Sequence, residues 1–319
     1  MGVSPHHRVW VAILTYGRRG RHVHEVLTAL QASTILPERI LVLDNGTTSD
    51  ADRSIPSTIP LGWIDLPVNL GSAGGYHRAL QEGATSGADL WLLDDDNLPE
   101  PDCLEHLLCK RQSLGPQAVV VSHRPLRPEF EEIVRRGGSR PLRRNSFMAF
   151  HILGTPRGHH LGTPARQGCL PLAYFGYGGA LIPSDALASG ILPEPALFVY
   201  HDDSDWSHRL LAAGFSAWLV PDAHIRDLEV SWGGQETAGA SPLFSHRIPS
   251  DRAWFAVRNR AWVERRLGFG GPVWHLNALA WITLQGLRAL LREHRPLALV
   301  RRLASIGQAF ARGAAGRLG

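Results

Sequence analysis

The sequence predicts an α/β fold: a mostly parallel sheet flanked by helices, followed by a C-terminal helical region. Three observations carry this. Short apolar runs alternate with segments of helical period through residue 122. Those runs end in polar clusters, and from Asp251 only helical spacing persists. Alternation of this kind builds parallel sheets covered on both faces. A chain of 319 residues that is 44% hydrophobic has enough material for one large domain or two small ones.

The elements follow in order. Val9–Thr15 reads as the first strand and Arg21–Ala32 as a helix, with Val23, Val26, Leu27 and Leu30 on one face. Arg39–Leu43 is a second strand, ending in Asp44-Asn45-Gly46, and Gly62–Leu66 is a third. Ser72–Thr85 is a helix that opens in glycines. Asp89–Leu93 is a fourth strand, ending in Asp94-Asp95-Asp96. Glu100–Arg111 is a helix with Pro101 in its first turn, where proline is tolerated. Ala118–Ser122 is a fifth strand. Residues 123–170, rich in Arg, Pro, Gly and His, read as a long loop or insert. The pattern resumes at Ala173–Ile182, a helix over Asp203–Ala213 and a strand over Ser216–Val220; 233–249 are again loop-like. The expected division is a catalytic domain over 1–250 and a helical region over 251–319.

Composition narrows the functions. The formal charge is +4, carried almost wholly by arginine, since Lys110 is the only lysine. Three cysteines (Cys103, Cys109 and Cys169) are too few and too irregular for a disulfide framework or a zinc site. A reducing cytoplasm is the expected setting. Val9–Leu14 is too short for an export segment, and no stretch of about 20 uninterrupted apolar residues reads as a spanning helix. The first strand lacks the glycine fingerprint of nicotinamide enzymes, and nucleic acid is not an expected partner.

Chemistry gathers at the carboxyl ends of the strands, where open α/β sheets bind ligands. Thr15-Tyr16, Asp44-Asn45, Asn69-Leu70-Gly71 and Asp94-Asp95-Asp96 all fall on that rim. The triple aspartate is the most informative. In an extended segment Asp94 and Asp96 share a side, and hard oxygen ligands suit Mg²⁺ or Mn²⁺ bridging phosphates. Its bland alternative is a solvated acidic turn before a helix. Gly71-Ser72-Ala73-Gly74-Gly75 suits a pyrophosphate at a helix start, or simply a flexible turn. Asp202-Asp203-Ser204-Asp205 offers a helix cap and a general base. His224, in Pro221-Asp222-Ala223-His224, reads as a structural histidine unless carboxylates surround it.

At these residues the chain resembles family 2 glycosyltransferases of the GT-A fold, in the rhamnosyltransferase and galactofuranosyltransferase branch. The matching segments occur in order: Ala12-Ile13-Leu14-Thr15-Tyr16-Gly17-Arg18, Val42-Leu43-Asp44-Asn45-Gly46, Asn69 to Tyr76, Leu92-Leu93-Asp94-Asp95-Asp96, Tyr200-His201-Asp202-Asp203-Ser204-Asp205-Trp206 and Ala256-Val257-Arg258-Asn259-Arg260. The resemblance implies the GT-A, nucleotide-diphospho-sugar transferase fold and an inverting transfer of galactofuranose or rhamnose to a hydroxyl of a glycan or glycolipid. It implies that Thr15, Tyr16, Arg18, Asp44, Asn45, Asn69, Gly71, Gly74, Gly75 and Asp95 face a UDP- or dTDP-linked donor. Asp94, Asp96 and His224 would hold Mn²⁺ or Mg²⁺, Asp203 would be the base, and Asp202 with Trp232 would meet the acceptor. The family often has Glu-Asp where this chain has Asp202-Asp203, and the 123–170 segment matches nothing in the family pattern.

From Arg288 onward the chain has seven arginines and one acidic residue, Glu293. This reads as amphipathic helices able to lie on an anionic membrane, or to pack on the catalytic domain or a second subunit. The expected location is therefore cytoplasmic, on the inner face of the membrane. Two other functions compete. A sugar-phosphate nucleotidyltransferase needs a glycine-rich arginine loop and a later lysine, and the lysine is absent here. A non-catalytic glycan-binding scaffold has no need to keep Asp94, Asp96, Asp203 and His224.

Overall fold

The computed structural model describes residues 8–46, 50–154, 163–229, 241–245, 248–291 and 296–318. It divides into two compact units. The first comprises Met1–Arg140, His160–Pro195 and Asp203–Val230; the second comprises Pro141–His159, Ala196–Asp202 and Ser231–Gly319.

The first unit is built on a sheet. β1 (Val9–Thr15), β2 (Arg39–Asn45), β3 (Leu61–Leu66) and β4 (Asp89–Asp94) are parallel, in the order β3-β2-β1-β4. The sheet continues through β8 (Ala180–Ile182), β6 (Ala118–His123) and β9 (Ser216–Asp227) to β5 (Asn97–Pro99), while β7 (Leu170–Pro171) also pairs with β9. β6 and β9 are parallel to each other; β8 runs antiparallel to both β4 and β6. Strands such as Leu90-Trp91-Leu92-Leu93 and Val119-Val120-Val121 are buried on both faces, which is why they read as continuous apolar runs.

Helices α1 (Gly20–Gln31) and α3 (Cys103–Leu114) cover one face, where Val26, Leu27, Leu104 and Leu107 share a core with Val11 and Trp91. On the other face α2 (Gly71–Ala84), α5 (Ser184–Ala188) and α6 (Asp202–Ala212) pack Tyr76, Leu80, Ala186 and Trp206 against Leu92 and Leu219. The buried pair Arg111–Asp89 (2.6 Å) ties α3 to the start of β4.

The structure revises three expected elements. The helix predicted from Glu100 begins at Cys103, because Asn97–Pro99 forms β5 and pairs with β9. β9 runs to Asp227, seven residues beyond the expected strand, past a register shift at Ser122/His123. The 123–170 segment contains α4 (Pro128–Arg136), too charged to stand out, whose Phe130 and Ile133 reach the core.

The second unit is helical. α7 (Ser250–Arg266), α8 (Pro272–Leu290) and α9 (Pro296–Ala314) enclose Phe147, Phe244, Trp274, Trp281 and Ile306.

Candidate active site

The turn Asp95-Asp96 between β4 and β5 sorts the three aspartates. The Asp94 side chain is 40% exposed, Asp96 14% and Asp95 7%. Asp94 and Asp96 therefore present carboxylates outward while Asp95 turns in. Thr15 Oγ1 donates to Asp95 Oδ2 at 2.7 Å, and Arg19 Nε sits 2.9 Å from Asp95 Oδ1. Thr15 and Asp95 were both expected to face the donor. Both side chains are instead buried in contact with each other, locking β1 to β4.

The turn into α2 is corrected in the same way. Asn45 donates to Gly71 O (2.9 Å) and accepts from Leu70 N–H (2.8 Å), while Asn69 Oδ1 accepts from Gly71 N–H (2.9 Å). Both amides build the turn. Gly71 has φ +68, the left-handed region that glycine tolerates. A Cβ on Gly75 would lie 2.5 Å from Leu14 Cδ1, and one on Gly74 2.5 Å from Leu70 Cβ. Gly75 lets α2 press onto β1, Gly74 makes room for Leu70 at the helix start, and both are buried, so they do not form an open phosphate cradle.

Asp44 remains a recognition candidate. It is buried at the end of β2; Arg53 reaches Oδ2 at 3.2 Å, while Oδ1 is buried with no hydrogen-bond partner among the described residues. A buried acceptor of that kind suits an N–H or O–H of a ligand. Arg53 also pairs with Asp65 and lies 5.1 Å over the Trp63 ring. Tyr16 and Arg18 are exposed beside Gly17, on the same rim.

The expected metal set of Asp94, Asp96 and His224 is not assembled. β5 and β9 are antiparallel with Asn97 opposite Asp227 and Pro99 opposite Ile225. Asp96 and His224 are thus at opposite ends of the pairing, roughly 13 Å apart at strand rise. His224 Nδ1 lies 3.3 Å from Glu100, and its ring is 5.5 Å from His123. The residue brought to the acidic cluster is Asp227. Asn97 Nδ2 donates to Asp96 (3.1 Å) and Asp227 (3.3 Å), and Arg124 and Arg127 both bind the Asp227 carboxylate. Arg124 Nη1 also stands 3.9 Å from Asp94. The two arginines hold Asp227 below the usual carboxylate range in spite of its burial. Asp96 is pushed up to about 6, first by burial and then by Asp94.

The donor atoms fit a hard divalent cation in one way only. Asp94 stays part exposed, while burial and Asp94 raise Asp96 even with Arg124 and Arg19 nearby. That suits an ion held by one or two carboxylates with phosphate oxygens completing its shell. Among the described residues no group of three or more His, Cys, Asp or Glu side chains is arranged to hold a metal.

Three features hold the site in shape. Tyr76, fully buried and stacked 4.1 Å from Tyr177, points its hydroxyl at Asp94 Oδ1 (2.6 Å) and Leu93 O (3.0 Å). Asp203, partly exposed at the start of α6, accepts from Ser204 N–H (2.6 Å); burial is the first cause of its raised pKa, and Asp94 adds to it. The glycine strip at Gly176 and Gly178 passes both carboxylates. A Cβ on Gly178 would meet Asp94 Oδ2 at 2.6 Å, and one on Gly176 would meet Asp203 Oδ2 at 3.3 Å. Asp202 is also buried in the first turn of α6. Trp232 lies outside the described residues.

The second unit carries the segment that leads to Asp202. Phe198, Tyr200 and His201 all have positive φ (64°, 67° and 63°), costly for non-glycine residues. Asn259 Nδ2 lies within 2.9 Å of the carbonyls of Leu197, Val199 and Tyr200, and Arg258 donates to those of Ala196 and Leu197. This gives the Arg258-Asn259 pair a clamping role that its sequence left unassigned. Tyr76, Arg19, Arg124, Arg127 and Asp227 were likewise missed; Asp227 alone had a local cue, as a carboxylate following an apolar strand.

A sheet with an acidic strand end, a second carboxylate beside it and a buried acceptor two strands away is the arrangement expected of a GT-A enzyme that transfers a glycosyl group. Residues 10–165 match the family model described as glycosyl transferase family 2. A galactofuranosyltransferase GlfT1 of Mycobacterium tuberculosis is 29% identical over 275 residues, covering 82% of this chain and 83% of the relative. GlfT1 of Mycolicibacterium smegmatis is 26% identical over 216 residues, covering 66% and 67%. The solved mannosyltransferase PcManGT from Pyrobaculum calidifontis, in complex with GDP-Man and Mn²⁺, superposes with a TM-score of 0.53 at 15% identity, over 97% of this chain and 88% of that one. The chain carries a glycosyl transferase family 2 domain, is homologous to GlfT1, and is a glycosyltransferase of GT-A fold.

Proposed function

We propose that the enzyme inverts configuration as it moves a sugar, galactofuranose or rhamnose, from a UDP- or dTDP-linked donor to a hydroxyl of a glycan or glycolipid used in cell-wall polysaccharide synthesis. The observation that carries this reading is that Asp94 and Asp203, carboxylates from different elements, both lie against the Gly176–Gly178 strip and close enough for Asp94 to raise Asp203. The GlfT1 relatives support the galactofuranosyl option.

The residues have separable jobs. Asp44 Oδ1 accepts from the base or ribose of the donor. Asp94 and Asp96 face its diphosphate, where Mn²⁺ or Mg²⁺ bound to these carboxylates would neutralise the charge of the departing nucleotide. Asp203, raised by burial and by Asp94, takes the proton of the acceptor hydroxyl. One displacement then forms the new glycosidic bond, breaks the sugar–phosphate bond and inverts the anomeric centre. Asp202, in the same turn, sets the acceptor side of that helix.

The test is transfer and donor affinity with UDP- and dTDP-hexoses, with and without Mn²⁺. Asp203→Asn should bind donor like the parent and transfer roughly 10²–10⁴ times more slowly. Asp96→Ala should lose the Mn²⁺-dependent part of donor binding, and His224→Ala should keep it. Donor binding indifferent to Mn²⁺ in the parent rejects the cation assignment; transfer at parental rate in Asp203→Asn rejects the base.

A further inference from the structure

Helix α8 is apolar on two sides. Two of its polar residues face inward with the tryptophans: Asn277 accepts from Ile152 N–H (2.8 Å) and donates to Asn145 O (2.8 Å), and Gln285 accepts from Ser241 N–H (2.7 Å). The opposite face carries Leu276, Leu279, Leu287 and Leu290, each more than half exposed. At helical period these leucines span roughly 80° of the surface, opposite buried Trp274 and Trp281. Across the connection, Leu297 and Val300 in the first turns of α9 are exposed too.

A helix apolar on both sides normally has both sides covered. One side of α8 is covered by the tryptophan core. Neither α8 nor α9 is long and apolar enough to cross a membrane. Charge identifies the second cover. The sequences of α8 and α9 contain no Asp or Glu, and exposed Arg288 and Arg301 flank the leucines near the α8–α9 connection. Leucines with arginine at their margin, in a stretch from Arg288 onward with seven arginines and Glu293 as its one acidic residue, match an interface of acyl chains below and anionic headgroups around.

We propose that the exposed face of α8, with the start of α9, docks the enzyme on the surface of an anionic lipid bilayer, α8 lying in the plane of the interface. The long axis of the docked helix is about 28 Å. A lipid-borne acceptor would then reach the enzyme by diffusion in two dimensions.

The experiment uses the full-length chain and co-sedimentation with phosphatidylglycerol–phosphatidylcholine vesicles, against pure phosphatidylcholine vesicles, at low and high salt. The parent should bind the anionic vesicles at low salt and release as salt rises. The double variant Leu279→Glu, Leu287→Glu should weaken binding at least tenfold while its circular dichroism stays parental. Arg288→Gln with Arg301→Gln should weaken it roughly tenfold or more without touching the apolar face. Failure of the parent to bind anionic vesicles at low salt overturns the proposal. So does equal binding to pure phosphatidylcholine, or parental binding by a folded glutamate variant. A dimer in light scattering that Leu279→Glu converts to monomer assigns the face to a second copy and overturns it as well.

Discussion

At the scale of single residues, buried Tyr76 sets the terms on which Asp94 works, and half-buried His201 sets a pH dependence of stability. Burial, with Asp94 alongside, pushes Tyr76 well above the ordinary phenol value, so its hydroxyl stays a donor. It fixes Asp94 Oδ1 and leaves Oδ2 for the open side. Tyr76→Phe keeps the stack on Tyr177 but strands two acceptors, at a cost of about 1–3 kcal/mol in stability. Donor affinity should weaken roughly tenfold, as for other groups that orient a ligand-binding carboxylate; calorimetric titration with donor and Mn²⁺ checks this, and unchanged affinity would mean that Asp94 is held by other contacts. His201 is the second group. Burial, then Arg260, lowers it to about 3. Its folded value lies below that of the unfolded chain, so its neutral form is fully favoured above about pH 6.5. As pH falls from there toward 3 the unfolded state takes up a proton that the folded state refuses, and stability is lost. His201→Asn removes the titration and tolerates the left-handed backbone at φ 63°. Melting temperatures from pH 7 to 4 should decline less steeply for that variant.

At the scale of elements, the sequence legibly held whatever depends on local period and missed whatever depends on register. β1, β2 and β4 were readable because each is largely buried on both faces, and β3, only partly buried, by its short apolar run. His224 was misplaced because its neighbours are set by β5 pairing antiparallel with β9, a contact between segments more than 120 residues apart in sequence. The same pairing hid Asp227. Gly74 and Gly75 looked like phosphate-cradle glycines, since nothing local distinguishes those from glycines that admit a neighbouring Leu. Helix α9 offers a matched test of that distinction. A Cβ on Gly313 would fall 2.1 Å from Arg258 O and 2.8 Å from Ala261 Cβ, whereas Gly307 has nothing within 4 Å. Gly313→Ala should destabilise by about 1–3 kcal/mol through overpacking. Gly307→Ala should gain about 1 kcal/mol from helix propensity. Urea unfolding of both variants decides it, and equal effects would mean that α9 does not pack tightly on α7.

At the scale of the whole molecule, the chain passes from one unit to the other at the start of α6. Residues 196–202 belong to the helical unit and the chain re-enters the sheet unit at Asp203. The strained residues Phe198, Tyr200 and His201 immediately precede that crossing, each in a conformation costing on the order of 1–3 kcal/mol. What holds them is Asn259, wholly buried, with one amide nitrogen serving three carbonyls. Removing it lets the segment relax toward ordinary backbone, and the start of α6 moves with it. Asp203 is displaced; Asp44, Asp94 and Asp96, on strands of the other unit, are not. Asn259→Ala should therefore leave the thermal shift produced by donor and Mn²⁺ near parental, while transfer falls roughly 10²-fold, the order expected when a reacting group is misplaced by about 1 Å. Asn259→Asp should be no better, since a carboxylate offers those carbonyls no N–H. The measurement is kcat and donor KM beside the donor-induced shift. A variant that loses donor binding and transfer together would show that Asn259 supports the fold as a whole rather than the placement of Asp203.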